Sequence, residues 1–205
     1  MTRLLIATNN PGKVREVKAI CGMHFSPIFS LQEFSLVLEV EEDGQTFEDN
    51  AVKKAEALMR ITGAQALADD SGLEVDELGG EPGVHTARYA GDARDDAANR
   101  RKLLEVLQGV PRARRTARFV SAVALAMPDG RLLEAQGSCE GCIGQEERGH
   151  NGFGYDCLFY REDGRSFAEY TSAEKDAVSH RAVALAALAG RLPAFLAGEP
   201  RPVQE

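Results

Sequence analysis

Leu67-Ala68-Asp69-Asp70-Ser71-Gly72-Leu73 sets two adjacent carboxylates at the end of an apolar run and follows them with Ser-Gly. Carboxylates near a core are costly unless they hold something. The β-like run Ala64 to Ala68 leads in and Gly72 permits a sharp turn, so the pattern predicts presentation of the pair at a strand end, where α/β proteins keep their ligands. Hard oxygen donors of this kind suit Mg²⁺, which is held by one or two carboxylates together with substrate phosphates. A phosphate cradle is then expected elsewhere in the chain.

Thr8-Asn9-Asn10-Pro11-Gly12-Lys13 meets that expectation, with hydroxyl and amide donors, a glycine for close backbone approach and a lysine entering a helix. It is not a Walker A loop, because GxxxxGK[ST] is absent. The apolar run Arg3 to Thr8 precedes it, giving strand, loop, helix. Leu36 to Val40 reads as another strand, ending in the acidic turn Glu41-Glu42-Asp43-Gly44. Thr46 is placed to cap a helix running to about Thr62, with Glu48 and Asp49 in its first turn and Ala51, Ala55, Leu58 and Met59 on its buried face.

Beyond the Asp pair, Gly79 to Gly83 is a flexible loop, and a helix is expected from near Asp96 to Leu107, ended by Gly109 and Pro111. Arg112, Arg114, Arg115 and Arg118 read most simply as a solvated connection. Phe119 to Met127 and Leu132 to Ile143 flank Pro128-Asp129-Gly130 as a hairpin, so the sheet is mixed. Asp156 to Tyr160 is a further strand candidate, and Thr171 to Glu174 matches a capping box opening the last helical region. In Gly152-Phe153-Gly154-Tyr155-Asp156 the glycines leave the Phe153 ring open to a planar ligand, and His180-Arg181 offers donors to a carbonyl-bearing base.

The 205 residues, 43% of them hydrophobic, suffice for one good core, and a single domain over 1–205 is expected, with a flexible tail from about residue 198. Lys+Arg total 24 against 32 Asp+Glu, a formal charge of -8, which argues against nucleic acid or an anionic membrane as partner. No apolar run approaches the roughly 18 residues of a membrane span or forms a secretory signal, so the chain reads as cytoplasmic. Cys21, Cys139, Cys142 and Cys157 are too few for a disulfide framework, and Cys139-Glu140-Gly141-Cys142 lacks the second pair that a zinc site needs.

Taken together and in this order, these blocks closely resemble the inosine triphosphate pyrophosphatase family. The blocks run from Leu4 to Lys13, Thr46 to Ala51, Ala68 to Leu73, Gly79 to Gly83, Ala87 to Gly91, Gly152 to Asp156 and Ser179 to Arg181. The resemblance implies an α/β fold in which a long twisted mixed sheet, flanked by helices, floors an active-site cleft between two lobes, in a homodimer. The implied reaction is Mg²⁺-dependent hydrolysis of ITP, dITP and XTP to the nucleoside monophosphate and pyrophosphate. By matching positions, Thr8, Asn9, Asn10, Pro11, Gly12 and Lys13 bind the triphosphate, while Glu42 and Asp70 hold the metal. Asp70 is also the general base and Ser71 a substrate contact. Phe153, Gly154, Tyr155 and Asp156 pack on and read the base, Lys175, His180 and Arg181 complete that pocket, and Lys54 and Asp69 support. Asp49 stands where the family usually has Glu, Cys157 where it has Pro, and Cys139-Glu140 where Trp-Pro is common; none of these carries an assigned chemical role. A pyrophosphatase for other modified nucleotides and a non-catalytic nucleotide-sensing module are the alternatives.

Overall fold

A computed structural model describes residues 2–198. Short apolar runs become strands and capped amphipathic segments become helices. The strands are β1 (Thr2–Ile6), β2 (Phe25–Ser30), β3 (Ala66–Val75), β4 (Thr116–Ala126), β5 (Leu132–Ile143) and β6 (Phe159–Tyr160). The helices are α1 (Pro11–Cys21), α2 (Phe47–Thr62), α3 (Asp96–Val106), α4 (Ser172–Val178) and α5 (His180–Ala197). The strands form one mixed sheet in the order β2-β1-β3-β4-β5-β6, with β1 parallel to β2 and β3, and β5 antiparallel to β6.

The chain groups into two compact units. The first comprises residues 2–70, 122–137 and 182–198, and the period-two alternation of β1 organises it. Leu4 and Ile6 join a core with Val17 and Cys21 of α1, Leu67, Val123 and Leu125 of the sheet, and Leu185, Leu188 and Leu192 of α5. Leu5 points the other way, to a cluster with Leu31, Leu58 of α2, Ala64 and Ala66. The second unit, residues 71–121 and 138–181, packs Leu73 and Val75 of β3 with Leu103 and Leu107, Phe119, Ile143, Phe159 and Phe167.

Both expected caps form. Thr46 accepts from Asp49 N while Asp49 accepts from Thr46 N, and Thr171 and Glu174 repeat the arrangement for α4. The last helical region is two helices, broken at Ser179, whose backbone is extended.

Four expectations are corrected. Leu36 to Val40 forms no strand; Leu36 and Leu38 pack on the Leu5–Leu58 cluster from irregular backbone. The strand on that side is β2, Phe25–Ser30, at the sheet edge, where Pro27 costs no ladder hydrogen bond inside the sheet. Asp156, Cys157 and Leu158 lie in turns, leaving only Phe159–Tyr160 as strand. Most consequentially, Asp69 and Asp70 do not sit at a strand end: β3 continues through Gly72 to Val75.

Arg115 is no solvated residue either. It is 4% exposed and donates to three carbonyls, those of Leu107, Val110 and Gly144, which join the C-terminal end of α3 to the residue after β5. Arg114 pairs with Glu77, and Arg118 with Glu74, Asp76 and Glu140. No helix among the described residues is long and apolar enough to cross a membrane, and all four cysteines are free thiols. The expected flexible tail lies, from residue 199 on, outside the described residues.

Candidate active site

The mid-strand position of the Asp pair decides the site's geometry. Successive strand residues face opposite sides of a sheet, so adjacent carboxylates cannot share one partner. Asp69 takes the side of Leu67, where α1 packs, and its Oδ2 meets Lys13 Nζ at 2.8 Å. Asp70 takes the side of Ala66, where α2 packs, and its Oδ1 meets Lys54 Nζ at 2.8 Å. The strand pleat thus sorts one dipeptide into two ion pairs on two helices.

Lys54 also reaches Glu42 Oε1 at 3.1 Å, so two carboxylates converge on one ammonium. Asn50, one helical turn before Lys54, donates from Nδ2 to Asp70 Oδ2 (3.2 Å) and accepts at Oδ1 from Gly44 N (2.8 Å). A single buried amide therefore fixes the acidic loop of Glu42 against β3. Gly44 is required there, because a Cβ would lie 2.6 Å from Asn50 Oδ1 and 2.7 Å from Asp49 Cβ. Sequence reasoning missed Asn50; its signal was the i, i+4 spacing to Lys54.

Burial raises the Asp70 carboxyl above the ordinary aspartate value, and the neighbouring Glu42 charge adds to this, together outweighing the pull of Lys54 and Asn50. For Lys54, burial alone favours the neutral amine, but Asp70, Asp69 and Glu42 carry it above the ordinary lysine value. Asp70 is thus a strengthened base held beside a fixed cation.

At the start of α1, Asn10 caps the helix, its Oδ1 accepting from Gly12 N (2.9 Å) and Lys13 N (3.3 Å), while Thr8 Oγ1 accepts from Asn10 N (3.1 Å). Asn9 and Pro11 lie exposed in the same turn. The first turn of α1 carries no acidic residue, so nothing within the helix offsets its positive end, while the Lys13 side chain is paired with Asp69 of β3. An anion gains the Gly12 and Lys13 amides only in exchange for the Asn10 cap.

The second unit gathers the remaining residues. Ser71 Oγ accepts from Arg181 Nη2 at 3.3 Å, and His180 stacks on Phe119 with ring centroids 5.1 Å apart; both His180 and Arg181 are buried. Asp156, also buried, accepts from Phe153 N (2.9 Å) and pairs with Lys175, whose ammonium lies 5.4 Å from the Phe153 ring centroid. Phe153 itself is 61% exposed. Tyr155 is a buried residue whose hydroxyl donates to Thr86 O, so it supports the turn from beneath.

Lys175 rides on α4, whose cap is acid-labile. The Thr171 backbone N–H, its hydroxyl and Arg165 hold the Glu174 carboxyl at about 2. A carboxyl depressed in the folded state stabilises it above the ordinary value of 4.5, and that contribution is lost as pH falls toward 2. The expected result is a falling thermal midpoint by circular dichroism between pH 4.5 and 2, with a shallower fall in Glu174→Gln. An identical pH profile in the variant contradicts it.

A six-stranded mixed sheet carrying carboxylate–lysine pairs in the first unit, with an aromatic–arginine cluster in the second, defines an α/β protein. The chain belongs to the Ham1 family, whose model matches residues 4–191. It is 53% identical over 187 residues to a dITP/XTP pyrophosphatase of Desulforamulus reducens, covering 89% of this chain and 92% of that protein. Among solved structures it resembles the Staphylococcus aureus Ham1 protein (38% identity, TM-score 0.83, 97% of this chain and 100% of that one). A Ham1 protein from Coxiella burnetii is similarly close (39% identity, TM-score 0.85, 94% and 99%).

Proposed function

We propose that this protein is a nucleoside triphosphate pyrophosphatase that hydrolyses dITP, ITP and XTP to the monophosphate and pyrophosphate with Mg²⁺, clearing non-standard purines from the nucleotide pool. The observation that carries the reading is the convergence of Glu42 and Asp70 on one cation beside a base strengthened by burial. Relatives named dITP/XTP pyrophosphatase, matched over nearly the whole chain, support it.

The donor set fits Mg²⁺ as a shared rather than an all-protein site. Among the described residues no group of three or more His, Cys, Asp or Glu side chains is arranged for a metal, whereas two carboxylates leave room for the phosphates and waters that Mg²⁺ retains. Glu42 and Asp70 are the residues that would hold it. Bound there with the triphosphate, it would neutralise the charge that builds on the phosphates.

The remaining work falls to the chain. Lys13 and the N-terminus of α1 supply positive charge to the triphosphate, and Lys54 offsets charge beside Asp70. Asp70 takes a proton from the attacking water, and cleavage of the α–β anhydride releases pyrophosphate. Phe153 stacks on the base, and His180 and Arg181 donate to the 6-oxo oxygen, which adenine replaces with a 6-amino donor. The cytoplasmic setting and a homodimer complete the proposal on the strength of the resemblance.

A pyrophosphate-release panel tests the selectivity. We expect kcat/KM for dITP and XTP to exceed that for ATP by roughly 10²-fold or more, because buried donors facing an amino group go unpaired. Equal turnover of ATP sinks the reading. Preference for dUTP or a methylated nucleotide favours the broader pyrophosphatase, and binding without turnover favours a sensing module.

A further inference from the structure

An exposed aromatic ring is a useful stacking surface only if its backbone is held, and Gly154, with a φ of +60° and a bare Cα, is the natural point of slack in the turn. Within the turn, Phe153 N donates to Asp156 Oδ2, and the carbonyl of the Phe153–Gly154 peptide accepts from Asp156 N at 3.2 Å. The N–H of that same peptide and the carbonyl of Gly154 are held by α3. The N–H donates to Asp96 Oδ2 at 2.9 Å, and the Gly154 carbonyl accepts from Arg100 Nη1 at 3.0 Å. Asp96 and Arg100 are one helical turn apart, so they project from the same helix face. Glu147 completes the arrangement, pairing with Arg100 Nε at 2.7 Å and fixing the guanidinium's orientation.

We infer that Asp96 and Arg100 are positioning residues for purine binding: they clamp the two peptide groups of Gly154 and so hold the Phe153 ring ready to stack. The clamp fixes in advance the backbone freedom that the turn otherwise loses on binding, which lowers KM without touching the phosphates. The inference rests on Phe153 being the base platform, and the experiment separates the two claims.

The chain has no tryptophan, so Phe153→Trp installs a single fluorescent reporter at the platform. Time-resolved anisotropy of that variant reads ring mobility directly. Arg100→Met is expected to enlarge the fast anisotropy component and, in the Phe153 protein, to raise KM for dITP about tenfold with kcat within about twofold, Arg100→Lys recovering part of both. Inhibition by tripolyphosphate, which has no base, should be unchanged, an outcome that a general loosening of the fold would not give. Phe153→Ala is the control, with KM raised by roughly 5- to 100-fold through lost stacking. Unchanged KM in Phe153→Ala overturns the platform reading and the inference with it. A raised KM there, with Arg100→Met leaving either anisotropy or KM unmoved, overturns the clamp alone. A raised inhibition constant for tripolyphosphate overturns it as well.

Discussion

Asp70→Asn is expected to lower kcat for dITP by about 10³-fold while leaving the thermal midpoint nearly unchanged, the former within the range that a positioned general base contributes. The amide keeps the shape of the carboxylate and can still accept from Lys54, but it cannot take a proton from water and it removes one of the two carboxylates that converge there. Stability is spared because burial already disfavours the charged form of Asp70, and because Lys54 retains Glu42. Steady-state kinetics with circular dichroism reads both. Activity within about threefold of the parent removes Asp70 from the chemistry.

The largest stability effect belongs to a residue far from those carboxylates in the chain. Arg115→Met is expected to cost about 3–5 kcal/mol, because the Val110 and Gly144 carbonyls lose the donor that Arg115 supplies, the Leu107 carbonyl is left with Val110 N, and each buried orphan costs about 1–3 kcal/mol before relaxation. For a chain of this size that is a fall on the order of 10 °C in thermal midpoint. Arg115→Lys recovers only part, since an ammonium cannot present the planar fork that reaches Leu107, Val110 and Gly144 together. A midpoint within about 2 °C of the parent contradicts this account, as less than 1 kcal/mol would then be at stake.

Arg115 also shows where reading the sequence stops. Its neighbours Arg112, Arg114 and Arg118 make it look like part of a solvated basic run, and only carbonyls up to 29 positions away reveal it as a buried staple. What was legible was local: the Thr46 and Thr171 caps, the strand–turn–helix around Asn10, and the hairpin at Pro128-Asp129-Gly130 depend on residues within a few positions of one another. Leu36, Leu38 and Val40 alternate as a strand should, yet Leu36 and Leu38 find a hydrophobic cluster and no sheet partner, while the Pro27-containing β2 gains an edge place beside β1.

The Asp pair was legible in chemistry but not in geometry. Two carboxylates before Ser-Gly have the composition of a turn, and their tolerance inside β3 depends on lysines more than 15 positions away, which the local sequence cannot pair. Once β3 is continuous, the roles of Asp69 and Asp70 follow from the pleat. Asp69 is committed to Lys13 of α1, and Asp70 to Lys54 and Asn50 of α2. The residues proposed to meet the base were picked out by their types, whereas the helix α3 that holds the Phe153 turn carried no motif at all.

Cleavage of the α–β anhydride of a non-standard purine triphosphate is read by phosphorus NMR of dITP turning over with Mg²⁺. The signals of dIMP and pyrophosphate are expected to grow in equal amounts from the first time point; dIDP with orthophosphate would contradict the proposed reaction.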